Sequence, residues 1–270
     1  MTRRAAWRPG ATIAPGYEAI ARIHRSNVFD VYDAWSLERE TRCIVKALRP
    51  DRLAEPAKRR RLIAEGRLLE GLAHSGIVRG YETLTRPEPL VVMETLTGET
   101  VSHLVARRAR PLTAHELAFL GLHLASAIGY LHSRGFLHLD LKPSNMVAEN
   151  GRAKLIDLSL ARRPGRARPG FGTWCYMAPE QARGGQVGEP ADVWGIGVVL
   201  WEAACGDTPF GDESVEYPQL EGRAPALRSE RRLPAPLAAI VDRCLEPLPG
   251  DRPSLPELRQ ALEPIAGARG

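Results

Sequence analysis

The stretch HLDLKPSNMV, residues 138 to 147, holds three polar side chains whose types and spacing suit phosphoryl transfer. Asp140 can accept the proton of a hydroxyl, and Lys142 can neutralise charge on the transferred group. Asn145 offers an amide oxygen, and Asp157, twelve residues further on, closes the strand-like run AKLID. A strand–turn–strand hairpin between them would set Asn145 beside Asp157. One carboxylate and one amide oxygen at that spacing can hold Mg²⁺ on the phosphates of a nucleotide. Far upstream, Lys46 falls in a strand and Glu65 in the helix that follows. A lysine on a strand is best aimed at phosphates when a carboxylate holds it. An Asp-Leu-Lys-Pro string arises by chance, and a lone Lys/Glu pair is usually a surface contact; together and in this order the features form a specific signature.

Those side chains need elements that bring distant positions together. VFDVYDAW (28–35) alternates apolar and polar residues as a half-buried strand does, and RCIVKAL (42–48) and LVVME (90–94) are short β-rich runs. Residues 56 to 73 read as a helix with Leu62, Leu69 and Leu72 roughly on one face. Residues 113 to 135 form a longer one. It opens with a capping box, Thr113 and Glu116, carries Leu117, Leu120, Leu124, Ile128 and Leu131 at helical spacing, and stops at Gly135. Short strands near 146–148 and 153–156 flank a turn at ENG. After an Arg/Pro/Gly-rich loop, 162–172, helices follow near 190–205, 234–245 and 254–266. The fold class is α+β: a small β-rich unit of about residues 17–95, a hinge at ETLTGET (94–100), and a larger helical unit of about 101–266, with residues 1–16 as an N-terminal extension.

Composition narrows the function classes. The 270 residues are 44% hydrophobic and 26% charged, ordinary for a soluble globular chain. A net charge of +5, from 37 basic and 32 acidic side chains, is too mild for a nucleic-acid footprint. Lys46, Lys58, Lys142 and Lys154 are the only lysines; the excess of arginine reflects a biased genome. Cys43, Cys175, Cys205 and Cys244 make no CxxC pair, which fits a reducing compartment and argues against a zinc or disulfide framework. No apolar run follows the first arginines as a signal peptide requires, and WGIGVVLWEAAC (194–205) is too short to span a bilayer.

From about Ile20 to Ile265 the chain resembles the Hanks-type (eukaryotic-like) serine/threonine protein kinases, and a bacterial member of that family is expected. The catalytic loop H-R-D-L-x-x-x-N is matched by HLDLKPSN, the magnesium loop D-F-G by Asp157, Leu158 and Ser159, and A-P-E by Ala178, Pro179 and Glu180. The resemblance implies a bilobal kinase fold, ATP with Mg²⁺ (or Mn²⁺) as cofactors, and transfer to protein serine and threonine hydroxyls. It implies that Lys46, paired with Glu65, binds the α- and β-phosphates, that Asp140 is the catalytic base, and that Asn145 and Asp157 hold the metal. Lys142, two residues after the aspartate, is the serine/threonine pattern. Ile23, Val31, Ile44, Met93, Glu94, Leu96 and Val147 would enclose the nucleotide. Thr173 in GTWCYMAPE would touch Asp140 and shape the substrate site. His138 would pack under the catalytic loop, Asp192 would brace it, and Arg252 of DRPS would be the buried partner of Glu180. The implied partners are a protein substrate and a regulatory protein, with no nucleic acid and no membrane, in the cytoplasm.

The chain departs from the pattern in three places. The glycines of G-x-G-x-x-G fall on His24, Ser26 and Phe29, so nucleotide handling is expected to be weaker or slower, or to use Arg25, Ser26 or Asn27 instead. Leu158 and Ser159 replace Phe and Gly. Leu139 replaces the arginine that commonly pairs with a phosphate on the activation loop, and residues 160–172 contain no hydroxyl to carry one. Both halves of a phosphate switch are therefore missing, and activity independent of loop phosphorylation is expected. Arg162, Arg163, Arg166 and Arg168 read as a solvated basic loop, and secondarily as an attractor of acidic substrates. A pseudokinase, binding nucleotide or partners with little turnover, is the competing reading. A small-molecule phosphotransferase is disfavoured by GTWCYMAPE, Asp192 and Arg252.

Overall fold

The computed structural model describes residues 6–108, 110–211 and 215–267, and its contacts divide into two units, Met1–Thr97 and Gly98–Gly270. The first unit is an antiparallel sheet with one helix on it. Strands β1 (Thr12–Ala14), β2 (Tyr17–Arg25), β3 (Phe29–Ser36) and β4 (Thr41–Leu48) precede helix α1 (Pro56–Glu70), and β5 (Gly80–Leu84) and β6 (Leu90–Glu94) follow it. The sheet order is β1-β2-β3-β4-β6-β5. The period-two alternation seen in the sequence sorts side chains to two faces. Tyr32, Ala34, Cys43, Val45, Ala47, Leu90 and Val92 gather with Ile13, Ala14, Tyr17 and Ala19 in one core. The intervening residues face the other way, where Val31 is the cross-strand partner of Lys46, and Ile44 of Met93. Proline at the first turn suits the start of α1, which buries Leu62, Glu65, Gly66 and Leu69. Thr12–Ala14, within the segment read as an extension, pairs with β2 instead of standing apart.

The second unit begins with β7 (Glu99–Thr100), α2 (Val101–Arg107) and α3 (Ala114–Ser133). Thr113 and Glu116 form the expected capping box, and Gly135 takes the left-handed φ of +78° just beyond the helix end. Next come β8 (Met146–Glu149) and β9 (Arg152–Leu155), joined by Asn150 and Gly151, whose φ of 49° and 74° belong to the two-residue turn that matches strand twist. Then follow β10 (Gly165–Ala167), α4 (Pro179–Arg183), β11 (Gly185–Val187), α5 (Glu189–Cys205), α6 (Pro218–Glu221), α7 (Leu227–Glu230), α8 (Ala235–Cys244) and α9 (Leu255–Gly267). Helix α5 is buried almost all round, which explains its unbroken apolar sequence. Gly121 on α3 leaves room for Leu262 of α9 and Leu200 of α5, where an added Cβ would sit 2.5 Å from Leu262. The arginine-rich segment is not all loop: β10 pairs in register with β11, Arg166 opposite Gln186. Three residues reading GRA give no strand signal of their own; the pairing is supplied by a partner twenty residues away. Among the described residues no helix is long and apolar enough to cross a membrane.

Candidate active site

In the first unit the site begins with an ion pair. Lys46 Nζ donates to both carboxylate oxygens of Glu65, at 2.8 and 2.9 Å. Lys46 is 4% exposed and Glu65 2%. Strand β4 presents the lysine on the face away from the sheet's core, and the third turn of α1 carries Glu65 onto it. The Phe29 ring lies under the same ammonium, its centroid 4.6 Å from Nζ. Phe29 thus fills a position where the family has glycine, and it does so as a packed residue. Val31, Ile44 and Met93 share the Lys46 face through strand register, while Ile23 on β2 is exposed and Leu96 half-buried. Glu94, at the end of β6, accepts the Arg79 N–H at 2.9 Å.

The glycine-free hairpin closes on itself. Ser26 Oγ accepts the N–H groups of Val28 and Phe29, and the Ser26 N–H donates to the Phe29 carbonyl. Arg25 is held by Asp30 in a two-pronged pair at 2.6 and 2.8 Å. Two of the side chains named as stand-ins for the glycines, Arg25 and Ser26, thus also make bonds within the turn. Arg25 keeps an exposed guanidinium edge, its side chain being 41% exposed.

In the second unit the catalytic-loop residues form one network. Asp140 Oδ1 accepts the Thr173 hydroxyl at 2.6 Å. Its Oδ2 takes Asn145 Nδ2 at 3.2 Å and stands 3.3 Å from Lys142 Nζ. Lys142 Nζ donates to Thr173 Oγ1 at 2.8 Å, so Asp140, Lys142 and Thr173 close a ring. A carboxylate has about four acceptor sites, so room for an incoming hydroxyl remains. Asn145 Nδ2 also donates to the Asp140 carbonyl at 3.0 Å, so both of these bonds run through the amide nitrogen and not through Oδ1. The β8–β9 hairpin ties this residue to the next loop, since the Asn145 carbonyl accepts the Ile156 N–H at 3.0 Å. Asp157 Oδ1 accepts the Ser159 N–H at 2.8 Å. The Asn145 amide oxygen and Asp157 carboxylate are hard donors, few in number, as Mg²⁺ on phosphates requires. Val147, 8% exposed, lies on β8.

Asp192, 1% exposed, accepts the backbone N–H groups of His138 and Leu139 at 2.8 and 2.7 Å. His138 is fully buried, its Nδ1 accepts the Asp140 N–H, and burial pushes its pKa below the ordinary imidazole value. Arg252 grips both oxygens of Glu180 at 2.7 and 2.8 Å. Three contributors escaped sequence reasoning. His132 Nε2 bonds Asp192 Oδ2 at 2.8 Å, Gln219 donates to the Trp174 and Met177 carbonyls, and Gln181 joins Leu139 to Phe171. For Gln181 one signal existed: it is the N3 glutamine of a short helix, a position that caps.

The model of the protein kinase domain family matches residues 17–262. The chain belongs to this family. Its relatives include bacterial kinases. Over 236 residues it is 31% identical to the serine/threonine-protein kinase PkaA of Streptomyces coelicolor, covering 84% of this chain and 43% of that protein. It is 34% identical over 230 residues to the DNA damage-responsive serine/threonine-protein kinase RqkA of Deinococcus radiodurans, covering 77% and 33%. It is 32% identical over 225 residues to the serine/threonine-protein kinase PknB of Mycobacterium tuberculosis, covering 77% and 36%. The kinase domain thus spans less than half the length of these relatives.

Proposed function

We propose that the chain is an active serine/threonine protein kinase, a single catalytic domain with residues 94–100 as hinge, which moves the γ-phosphoryl group of ATP to protein hydroxyls. The observation that carries this is the closed ring of Asp140, Lys142 and Thr173 with Asn145 beside it. Asp140 is positioned to take the proton of the attacking serine or threonine hydroxyl as the bond to phosphorus forms. Lys142, held by Thr173, offsets negative charge on the phosphoryl oxygens. Lys46, fixed by Glu65, orients the α- and β-phosphates. Asn145 and Asp157 would hold the divalent cation, which when bound neutralises charge on the phosphates.

A protein substrate, a regulatory protein partner and a cytoplasmic setting complete the reading; four free cysteines are compatible with a reducing compartment. Activity does not wait for a loop phosphate, because Leu139 offers no cation to receive one and residues 160–172 offer no hydroxyl. The pseudokinase reading draws on the self-closed hairpin and on Phe29 packed beneath Lys46. Incubating wild type and Asp140→Asn with γ-³²P-ATP, Mg²⁺ and a pooled serine/threonine peptide library separates the two. We expect transfer by wild type and loss of ~10³-fold or more in the variant, with phosphatase pretreatment leaving the wild-type rate unchanged. ATP binding without transfer in either protein would establish the scaffold instead.

A further inference from the structure

Leu139 occupies the position of the missing arginine with a φ of +62°, a conformation a leucine adopts only when its surroundings hold it. Its peptide is gripped at both ends. The N–H donates to Asp192 Oδ1 at 2.7 Å, and the carbonyl accepts Gln181 Nε2 at 2.9 Å. The same amide nitrogen donates to the Phe171 carbonyl at 2.7 Å, and Gln181 Oε1 accepts the Ala178 N–H at 3.0 Å. Gln181 is 1% exposed and spends its amide entirely on these three backbone groups. The Gln181 carbonyl in turn accepts the Gly170 N–H at 3.0 Å. Gly172 completes the fit: a Cβ there would stand 3.1 Å from both Gln181 Nε2 and the Leu139 carbonyl.

The residues so joined are adjacent to the chemistry. Leu139 precedes the base Asp140, and Phe171 lies two residues before Thr173, which bonds that base. A phosphate paired with an arginine would tie the catalytic loop to the activation segment here. This chain ties them with a neutral amide and two carbonyls.

We propose that Gln181 is a positioning residue, whose side-chain amide clamps the Leu139 carbonyl to the Phe171 carbonyl and so holds Asp140 in register with Thr173 without any phosphate. The proposal rests on the kinase reading above and names the device that makes loop phosphorylation dispensable. Gln181→Met removes both donors at similar volume. Gln181→Glu sets a carboxylate against two carbonyl oxygens when ionised, and regains one donor when protonated.

The test is steady-state transfer from ATP to the peptide library by the whole chain, with ATP affinity measured separately. We expect Gln181→Met to lower kcat by about 10- to 100-fold while the ATP KM stays within about twofold. For Gln181→Glu we expect a rate as poor as Gln181→Met near pH 8, recovering as the pH falls to about 6. Taking each rate as a ratio to wild type at the same pH divides out every pH effect that the two proteins share. A Gln181→Met rate within twofold of wild type overturns the clamp, as does a Gln181→Glu ratio that is flat with pH. So does failure of both variants to fold, because the amide would then serve the fold and not the base. Wild type that binds ATP but transfers nothing sinks the kinase reading and the clamp with it; active wild type indifferent to Gln181 sinks the clamp alone.

Discussion

Single residues in this domain carry separable burdens of folding and chemistry, and Lys46 shows the separation most cleanly. Its ammonium and the Glu65 carboxylate are both buried, so removing one takes from the other two short hydrogen bonds and an opposite charge in a dry environment. We expect Lys46→Met to cost about 3 kcal/mol in urea unfolding, and Lys46→Met with Glu65→Leu to regain most of it, because the apolar replacement removes the buried carboxylate. Transfer activity stays lost in both; a double variant no more stable than the single would contradict the account. His138 makes a second burden measurable. Burial outweighs the favourable pull of Asp192, Asp140 and Asp157 and holds the imidazole neutral below the ordinary 6.5, with Lys142 adding to the effect. The folded state then binds fewer protons than the unfolded chain, so stability is full above pH 6.5 and drains as the pH falls towards the folded value. Thermal midpoints from pH 7.5 to 5.5 should fall for wild type more steeply than for His138→Gln, and parallel profiles would refute this.

Helix α3 was legible in the sequence because every signal agreed: cap, leucine spacing and terminal glycine all point to one element. Its cap is also testable. Thr113→Ala should cost about 1 kcal/mol in urea unfolding. Although burial raises its pKa, Glu116 is held down to about 2 by Arg108 and by the Thr113 N–H and hydroxyl. Its contribution is therefore complete above pH 4.5 and is lost as the pH falls through about 2; Glu116→Gln should lack that acid-side loss. The site letters Asp140, Asn145 and Asp157 were legible for a different reason, since their chemistry fixes both type and spacing. Strand β10 and the roles of Gln181 and His132 were not. Their partners are backbone carbonyls, a β11 edge and a carboxylate lying 10 to 60 residues off; beyond the N3 position of Gln181, no local pattern encodes such a partner. The hairpin before β3 adds bonds that the residue types alone do not announce: Arg25 pairs with Asp30, and Ser26 Oγ accepts the turn's own N–H groups.

At the scale of the whole molecule, the two units can be asked whether they respond separately, and Arg252 is the residue to ask with. Its side chain is wholly buried, and all of its N–H donors are placed. They reach Glu180 of α4 twice, the Pro190 carbonyl at the start of α5, and the Glu246 and Pro247 carbonyls after α8. The guanidinium also lies 5.0 Å from the Trp194 ring, which stacks on Phe210. Lysine keeps the charge but not the planar fork, so it can serve one of these partners while the remainder lose theirs. We expect Arg252→Lys to destabilise by about 3 kcal/mol. Hydrogen exchange should locate the loss: faster exchange in α4, α5 and α8, with β3 and β4 unchanged, because no Arg252 partner belongs to the first unit. Exchange that rises equally in β3 and β4 would mean that the domain opens as one body. The Lys46 pair would then report on the catalytic loop's stability as well as its own.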